Sequence, residues 1–476
     1  MEENKEEFQE RVVNAIRNRN AKELREIFET VPNIDIAEAL SEVDDAKTLL
    51  YVFHVVGSEY SADFFAELSN EQQELVINAF TDKELMDLIS DSYADDIVDV
   101  VEEMPANIVN RVLRVCPKDL RGDVNRLLNY KENTAGSVMT TEYIEMKENV
   151  TVKEAIETIR KNGRDAETVY TIFVRDSRRT LVGTVDLDDL IFAKEDEVLE
   201  DIMNKDFVTC NVNDDQEDVA KMFKRYDLTA MAVVNSEDKI IGIITVDDVM
   251  DIMEQEVSED IAHMAAISDM DQPYLKTNAF KLVFKCVPWI IALMILQVFS
   301  TLILSSFEAV IGSFAILAVF TPLIMDAGGN SGGQTTTMIV RSLSLDEFSG
   351  KDYGRVIWKE LRVALLIALI VATFTFGWLM FEMSVGIVNT DSIRLLGGNP
   401  YGKMALVALL VASTLFVTMI ISRLVGCSLP FVAKLIKLDP AVMCGPITTT
   451  VVDIVSLLTY FLLWSQVINP MFFHIG

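Results

Sequence analysis

The sequence predicts a multidomain membrane protein. An α-helical, superhelical N-terminal domain (1–132) is followed by two α/β repeats (133–199 and 200–253), an acidic connecting helix (254–280) and a five-helix α transmembrane domain (281–476). Three observations carry this. Charge is unevenly spread: the formal total is −32, yet residues 1–271 hold 63 acidic against 28 basic side chains, and residues 272–476 hold 10 against 13. An internal repeat occupies the middle of the chain. Five apolar segments near the ~20 residues needed to cross hydrocarbon fill the last part.

The first 130 residues read as stacked short helices. Apolar residues recur at helical spacing around Phe8, Val12 and Ile16 and around Leu75, Val76 and Phe80. Thr81 and Glu84 have capping-box spacing. The acidic balance argues against nucleic acid and anionic lipid as partners of this half, and suits either plain solubility or multivalent cations. Five scattered cysteines and three histidines form no CxxC, disulfide or zinc pattern. The charged start (MEENKEE) lacks an apolar h-region, so no cleaved signal peptide is expected.

The repeat runs from Ser137-Val-Met139 to Asp189 and again from Asp201-Ile-Met203 to Asp248. Each copy alternates a helical pattern with short β-rich runs, ending in a Gly-x-[Ile/Val]-x-x-x-Asp turn. This pattern resembles a tandem CBS pair, a module whose clefts can take adenine nucleotides. That resemblance implies ribose contacts at Asp189 and Asp248. Helix capping is the alternative for both.

The expected spans are 283–304, 309–327, 361–381, 404–425 and 447–468. Lys276, Lys281 and Lys285 precede the first, and Arg341, Lys351, Arg355, Lys359 and Arg362 follow the second. Lys434 and Lys437 follow the fourth, whereas 382–403 hold only Arg394 and Lys403 against Glu382 and Asp391. The positive-inside rule then puts the N-terminus in the cytosol and the C-terminus outside a plasma (cell inner) membrane.

Asp453 is a carboxylate inside an apolar segment, and an ionised acid at bilayer depth normally faces a pore or a partner. Thr449, Asp453, Ser456 and Tyr460 fall at i, i+4, i+7 and i+11, a single polar stripe. The segment 321–334 (TPLIMDAGGNSGGQ) carries four glycines and a proline. Such residues suit exposed backbone lining an aqueous path, or alternatively close helix packing. Asp439-Pro440-Ala441 precedes the last span, where Asp-Pro also marks helix starts. Carboxylates, carbonyls and hydroxyls are hard ligands, suited to Mg²⁺, Ca²⁺ or Mn²⁺.

Together, the order of domains, the Pro322…Gly328-Gly329-Asn330 motif and the Asp439-Pro440-Ala441…Asp453 motif resemble MgtE-type magnesium channels over essentially the whole chain. The resemblance implies a homodimer in the lipid membrane with Mg²⁺ in the pore at Asp453, near Thr449, Gly328, Gly329 and Asn330. It also implies closure by cytosolic Mg²⁺ bridging Asp95, Asp99, Asp227, Asp248, Asp251, Glu256, Glu259, Asp260 and Asp439, with the connecting helix as a plug. Asp95 and Asp96 are not distinguishable at this stage. A cation-coupled carrier, as in related solute carriers, is the alternative. No Ser-His-Asp set, Cys-His pair or hydrolase metal motif lies near the spans, so an enzyme is not expected. A pure sensor would leave Asp453 unexplained.

Overall fold

Short helices α1 (Lys5–Arg17) through α10 (Lys118–Leu127) fill the beginning of the chain, as the apolar spacing predicts. The computed structural model describes residues 5–268, 274, 277–388, 399–466 and 470, apart from 42, 103, 165, 314–315 and 346. Lys276, Asp391 and Arg394, used in the topology expectation, lie outside these residues. The chain divides into two compact units, Met1–Glu254 and Gln255–Gly476.

In the first unit, side-chain oxygens satisfy the orphan amides at helix starts. Asn20 accepts from Glu23 N and Asp45 from Thr48 N, and Thr81 with Glu84 forms a complete capping box. The stack closes around aromatic rings: Phe53 lies 5.4 Å from both Phe64 and Phe80 between centroids. α8 (Ala94–Glu102) packs Ile97, Val98 and Val101 inward and carries Asp95, Asp96 and Asp99.

Two three-stranded sheets follow. The first is β1 (Glu145–Lys147), β2 (Thr171–Arg175) and β3 (Leu181–Asp186), with α11 (Val152–Asn162) and α12 (Leu187–Phe192). The second is β4 (Thr209–Asn211), β5 (Ala230–Val234) and β6 (Ile240–Thr245). Each sheet pairs one parallel and one antiparallel strand, and the register slips at Val174/Arg175 and at Val233/Val234. The equivalent bulges confirm the repeat. A four-residue helix, α13 (Leu199–Ile202), links the copies, and α14 (Gln216–Tyr226) belongs to the second.

The copies interlock rather than sit end to end. A Cβ on Gly183 would meet Met203 Sδ at 2.7 Å, and one on Gly242 would meet Met139 Sδ at 2.6 Å. The opening segment of each repeat therefore packs on the other repeat's sheet, where only glycine leaves room.

α15 (Val246–Met264) carries the chain into the second unit. That unit contains α16 (Ala279–Leu296), α17 (Val298–Ser306), α18 (Glu308–Ser313), α19 (Ile316–Ser344), α20 (Tyr353–Val385), α21 (Pro400–Leu435) and α22 (Pro446–Leu463). Among the described residues, four helical stretches are long and apolar enough to cross a membrane: Ala279–Ser306, Gly350–Val385, Pro400–Leu435 and Pro446–Gln466. The chain is a multi-pass membrane protein. Over the second expected span, 309–327, the described residues are helical in α18 and in the first part of α19, which runs on to Ser344 and is polar along one side.

Candidate functional site

α19 and α22 run antiparallel and touch through glycine. A Cβ on Gly328 would meet Ser456 Oγ at 2.7 Å, one on Gly329 would lie 3.3 Å from Thr449 Cγ2, and one on Gly332 would lie 3.0 Å from Val452 Cγ2. A Cβ on Gly426 of α21 would collide with the Gly332 carbonyl. Thr336 Oγ1 reaches Gly332 O and Gly426 O at 3.0 Å and Thr448 Oγ1 at 3.1 Å, binding α19, α21 and α22. The glycine segment is thus continuous helix. The expected exposed carbonyls give way to the close-packing alternative, because helix contact offsets the weak propensity of glycine.

One cavity of about 550 Å³ lies against this contact. Asp453 and Thr449 line it from α22, and Asp326, Gly329 and Asn330 from α19. Thr321 is its other polar residue, and among the described residues no basic side chain lines it. Of the predicted pore set, Asp453, Thr449, Gly329 and Asn330 meet at this cavity, whereas Gly328 is turned into the helix contact. The predicted stripe on α22 also splits. Ser456 is buried and donates to Val452 O at 2.7 Å, and buried Tyr460 donates to Leu317 O at 3.1 Å. Their hydroxyls are satisfied within the bundle, so only the Thr449–Asp453 part faces the cavity.

Asp439 caps the turn after it, accepting from Ala441 N at 2.9 Å, and its other oxygen is 2.8 Å from His263 Nδ1. His263 is also 3.9 Å from Glu259. Glu256, Glu259 and Asp260 all lie on the last turns of α15.

Within the first unit, α8 gathers a group of acids. Burial first, then neighbouring carboxylates, push Asp95 up to about 8, Asp96 to about 6 and Asp99 to about 7. Glu167 rises to about 7, chiefly by burial and then by Asp248. Asp248 and Asp251 are raised too, mainly by burial. Asp95 Oδ1 is buried with no hydrogen-bond partner. That orphaned oxygen, among acids each raising the next, fits a divalent cation. Asp95 and Asp96, left undistinguished by spacing, both belong to the group, whereas Glu167 was missed because it comes from a loop far along the chain. Asp227 is exposed, left-handed at φ 51°, and caps the end of α14.

Asp189 and Asp248 are each the third residue of their helices, and Asp248 Oδ2 accepts from Thr245 N at 3.3 Å, so the capping alternative holds for Asp248. Asp248 Oδ2 accepts from Thr245 Oγ1 at 2.7 Å. Asp189 is exposed and converges with Asp186 and Asp188, their oxygens within 4.8 Å.

A pH dependence follows. Native acids with raised pKa hold protons that the unfolded chain releases near pH 4. Stability in divalent-free buffer should therefore fall as pH rises from about 4 to about 8 and level off above. Hydrogen exchange at α8 in the full chain, corrected for intrinsic rate, should be slower at pH 5.5 than at pH 8. Equal protection at both would count against the assignment.

Comparison with known proteins agrees with this arrangement. A family model described as divalent cation transporter matches residues 321–463, the MgtE intracellular N domain matches 31–133, and CBS domains match 135–196 and 199–255. The chain is 31% identical to the magnesium transporter MgtE of Thermus thermophilus, covering 94% of this chain and 95% of the relative. It is 29% identical to that of Bacillus subtilis, covering 95% of both. A crystal structure of the soluble part of a magnesium transporter superposes with a TM-score of 0.50 at 28% identity, covering 53% of this chain and 99% of that one. With the domain order, the α19–α22 contact and a relative matched along nearly its whole length, the chain belongs to the MgtE family of divalent cation transporters, which are transporters rather than enzymes.

Proposed function

We propose that the protein is a Mg²⁺ channel of the plasma membrane, taking up the ion and closing when cytosolic Mg²⁺ is high. The observation that carries this reading is Asp453, half-buried on a membrane helix and lining a cavity with no basic side chain among the described residues. Such an acid needs water or a cation. Mg²⁺ parts with its waters reluctantly, so hydroxyl and amide groups such as Thr449 and Asn330 suit a hydrated ion. A second copy of the chain would oppose a second Asp453, matching a divalent charge. The orientation has the N-terminus cytosolic and the C-terminus outside. Proteoliposomes test the channel reading directly. Mg²⁺ influx should proceed without a sodium or proton gradient, and dependence on either would favour the coupled carrier.

Closure would follow from Mg²⁺ binding among acids that otherwise repel, a two-state element biased by ligand. In the first unit these are Asp95, Asp96, Asp99, Asp248 and Asp251. On the second they are Glu256, Glu259, Asp260 and Asp439, of which Glu259 and Asp439 stand at His263. The triple variant Asp248→Asn, Asp251→Asn, Glu259→Gln should stay conductive at cytosolic Mg²⁺ that silences the wild type. Patch recordings showing unchanged inhibition would remove this set from the gate. For an adenine nucleotide on the CBS pair, exposed Asp189 suits ribose better than Asp248, whose carboxylate is engaged by Thr245.

A further inference from the structure

The exposed face of α19 is polar from Asp326 onward. Asp326, Asn330, Gln334 and Thr337 are all exposed, at i, i+4, i+8 and i+11, while Gly328, Ser331, Gly332, Thr335 and Thr336 on the far side are buried. This is one stripe along a helix set among apolar spans. Asp326 lies inside α19, after the apolar residues Ile316, Leu317, Phe320, Leu323 and Ile324. Neither Asp326 nor Asn330 has a hydrogen bond or ion pair among the described residues, and lipid offers such groups no partner.

Asp326 lines the same cavity as Asp453, but not at the same level. Gly329 of α19 faces Asp453: a Cβ built on it would lie 3.7 Å from Asp453 Oδ1. Asp326 lies three residues before Gly329, about 4.5 Å along α19. With the orientation given above, that displacement is toward the outer side. Two uncompensated carboxylates of one sign, staggered along a mostly apolar-walled cavity, repel unless a cation sits between or beside them.

We propose that Asp326 is a capture residue for the transported ion: a second carboxylate, outside Asp453, that concentrates hydrated divalent cations before they reach it. Its role differs from that of Asp453. An outer charge raises local cation concentration and entry rate, whereas Asp453 holds the ion at the contact of α19 and α22. The inference rests on the pathway reading, and the two are separable by kinetics.

Reconstituted full-length chain, checked for monodispersity, is assayed for Mg²⁺ influx over a range of external Mg²⁺. Asp326→Asn should raise half-saturating Mg²⁺ about tenfold, in line with the scale of electrostatic focusing, and leave saturating influx within about a factor of two. Asp326→Glu should restore the wild-type value, and raised salt should shrink the difference between wild type and Asp326→Asn. Asp326→Ser supplies the same comparison if the asparagine variant does not reconstitute. Wild-type half-saturation in Asp326→Asn, beside an inactive Asp453→Asn, overturns the inference and leaves the pathway reading standing. Wild-type behaviour of Asp453→Asn removes both.

Discussion

Asp453→Ala should reduce initial Mg²⁺ influx into proteoliposomes by at least about 30-fold. The figure comes from Coulomb's law: a carboxylate about 5 Å from a divalent ion contributes about 7 kcal/mol at an effective dielectric constant of about 20. Screening and water entering the space left by alanine recover much of that, and a net third, about 2 kcal/mol, still corresponds to about 30-fold. Asp326 cannot substitute, because it lies about a turn away on the other helix. Influx within threefold of wild type, from a variant reconstituted to the same density, would show that cations pass elsewhere.

The second large effect concerns a pair that has no part in the cavity. Glu360 on α20 and Arg423 on α21 are buried, at 8% and 2% exposure, and joined at 2.5 Å through both Nε and Nη2. Thr335 on α19 donates to the same carboxylate oxygen at 3.2 Å. A buried ion pair gains little over a hydrophobic pair, but removing one partner strands the other charge and costs about 3–5 kcal/mol. Arg423→Met alone should therefore unfold at a much lower temperature in detergent. Glu360→Leu with Arg423→Met should recover most of the loss, and a double variant no better than the single would mean the charge itself does the positioning. An Arg423→Met protein as stable as wild type would show that the pair is not sequestered from water.

Why one pair was missed and one acid found is a matter of periodicity. Asp453 interrupts an apolar run, and an anomaly within a single helix is visible in the sequence. Glu360 reads only as one more charge among Lys359 and Arg362 at a span edge, and nothing in the sequence ties it to Arg423. The same holds for Glu167, which reaches the α8 acids only through tertiary folding. Local chemistry was fully legible: the Thr81–Glu84 capping box and the duplicated strand order appear where spacing placed them. The helix of the second span continues past its expected end at 327, because Gly328 to Gln334 has the composition of a loop yet is helical. Its glycines serve contact with α21 and α22, and contact energy outweighs propensity there.

The knot at Thr336 has a mechanical consequence. Its hydroxyl is shared among three helices, beside a glycine pair whose backbones leave no space for a methyl group. Such a seam can neither spread nor slide without breaking buried bonds. α19, α21 and α22 thus travel as a single stiff wall, and any widening of the aqueous route has to come from whatever stands opposite that wall.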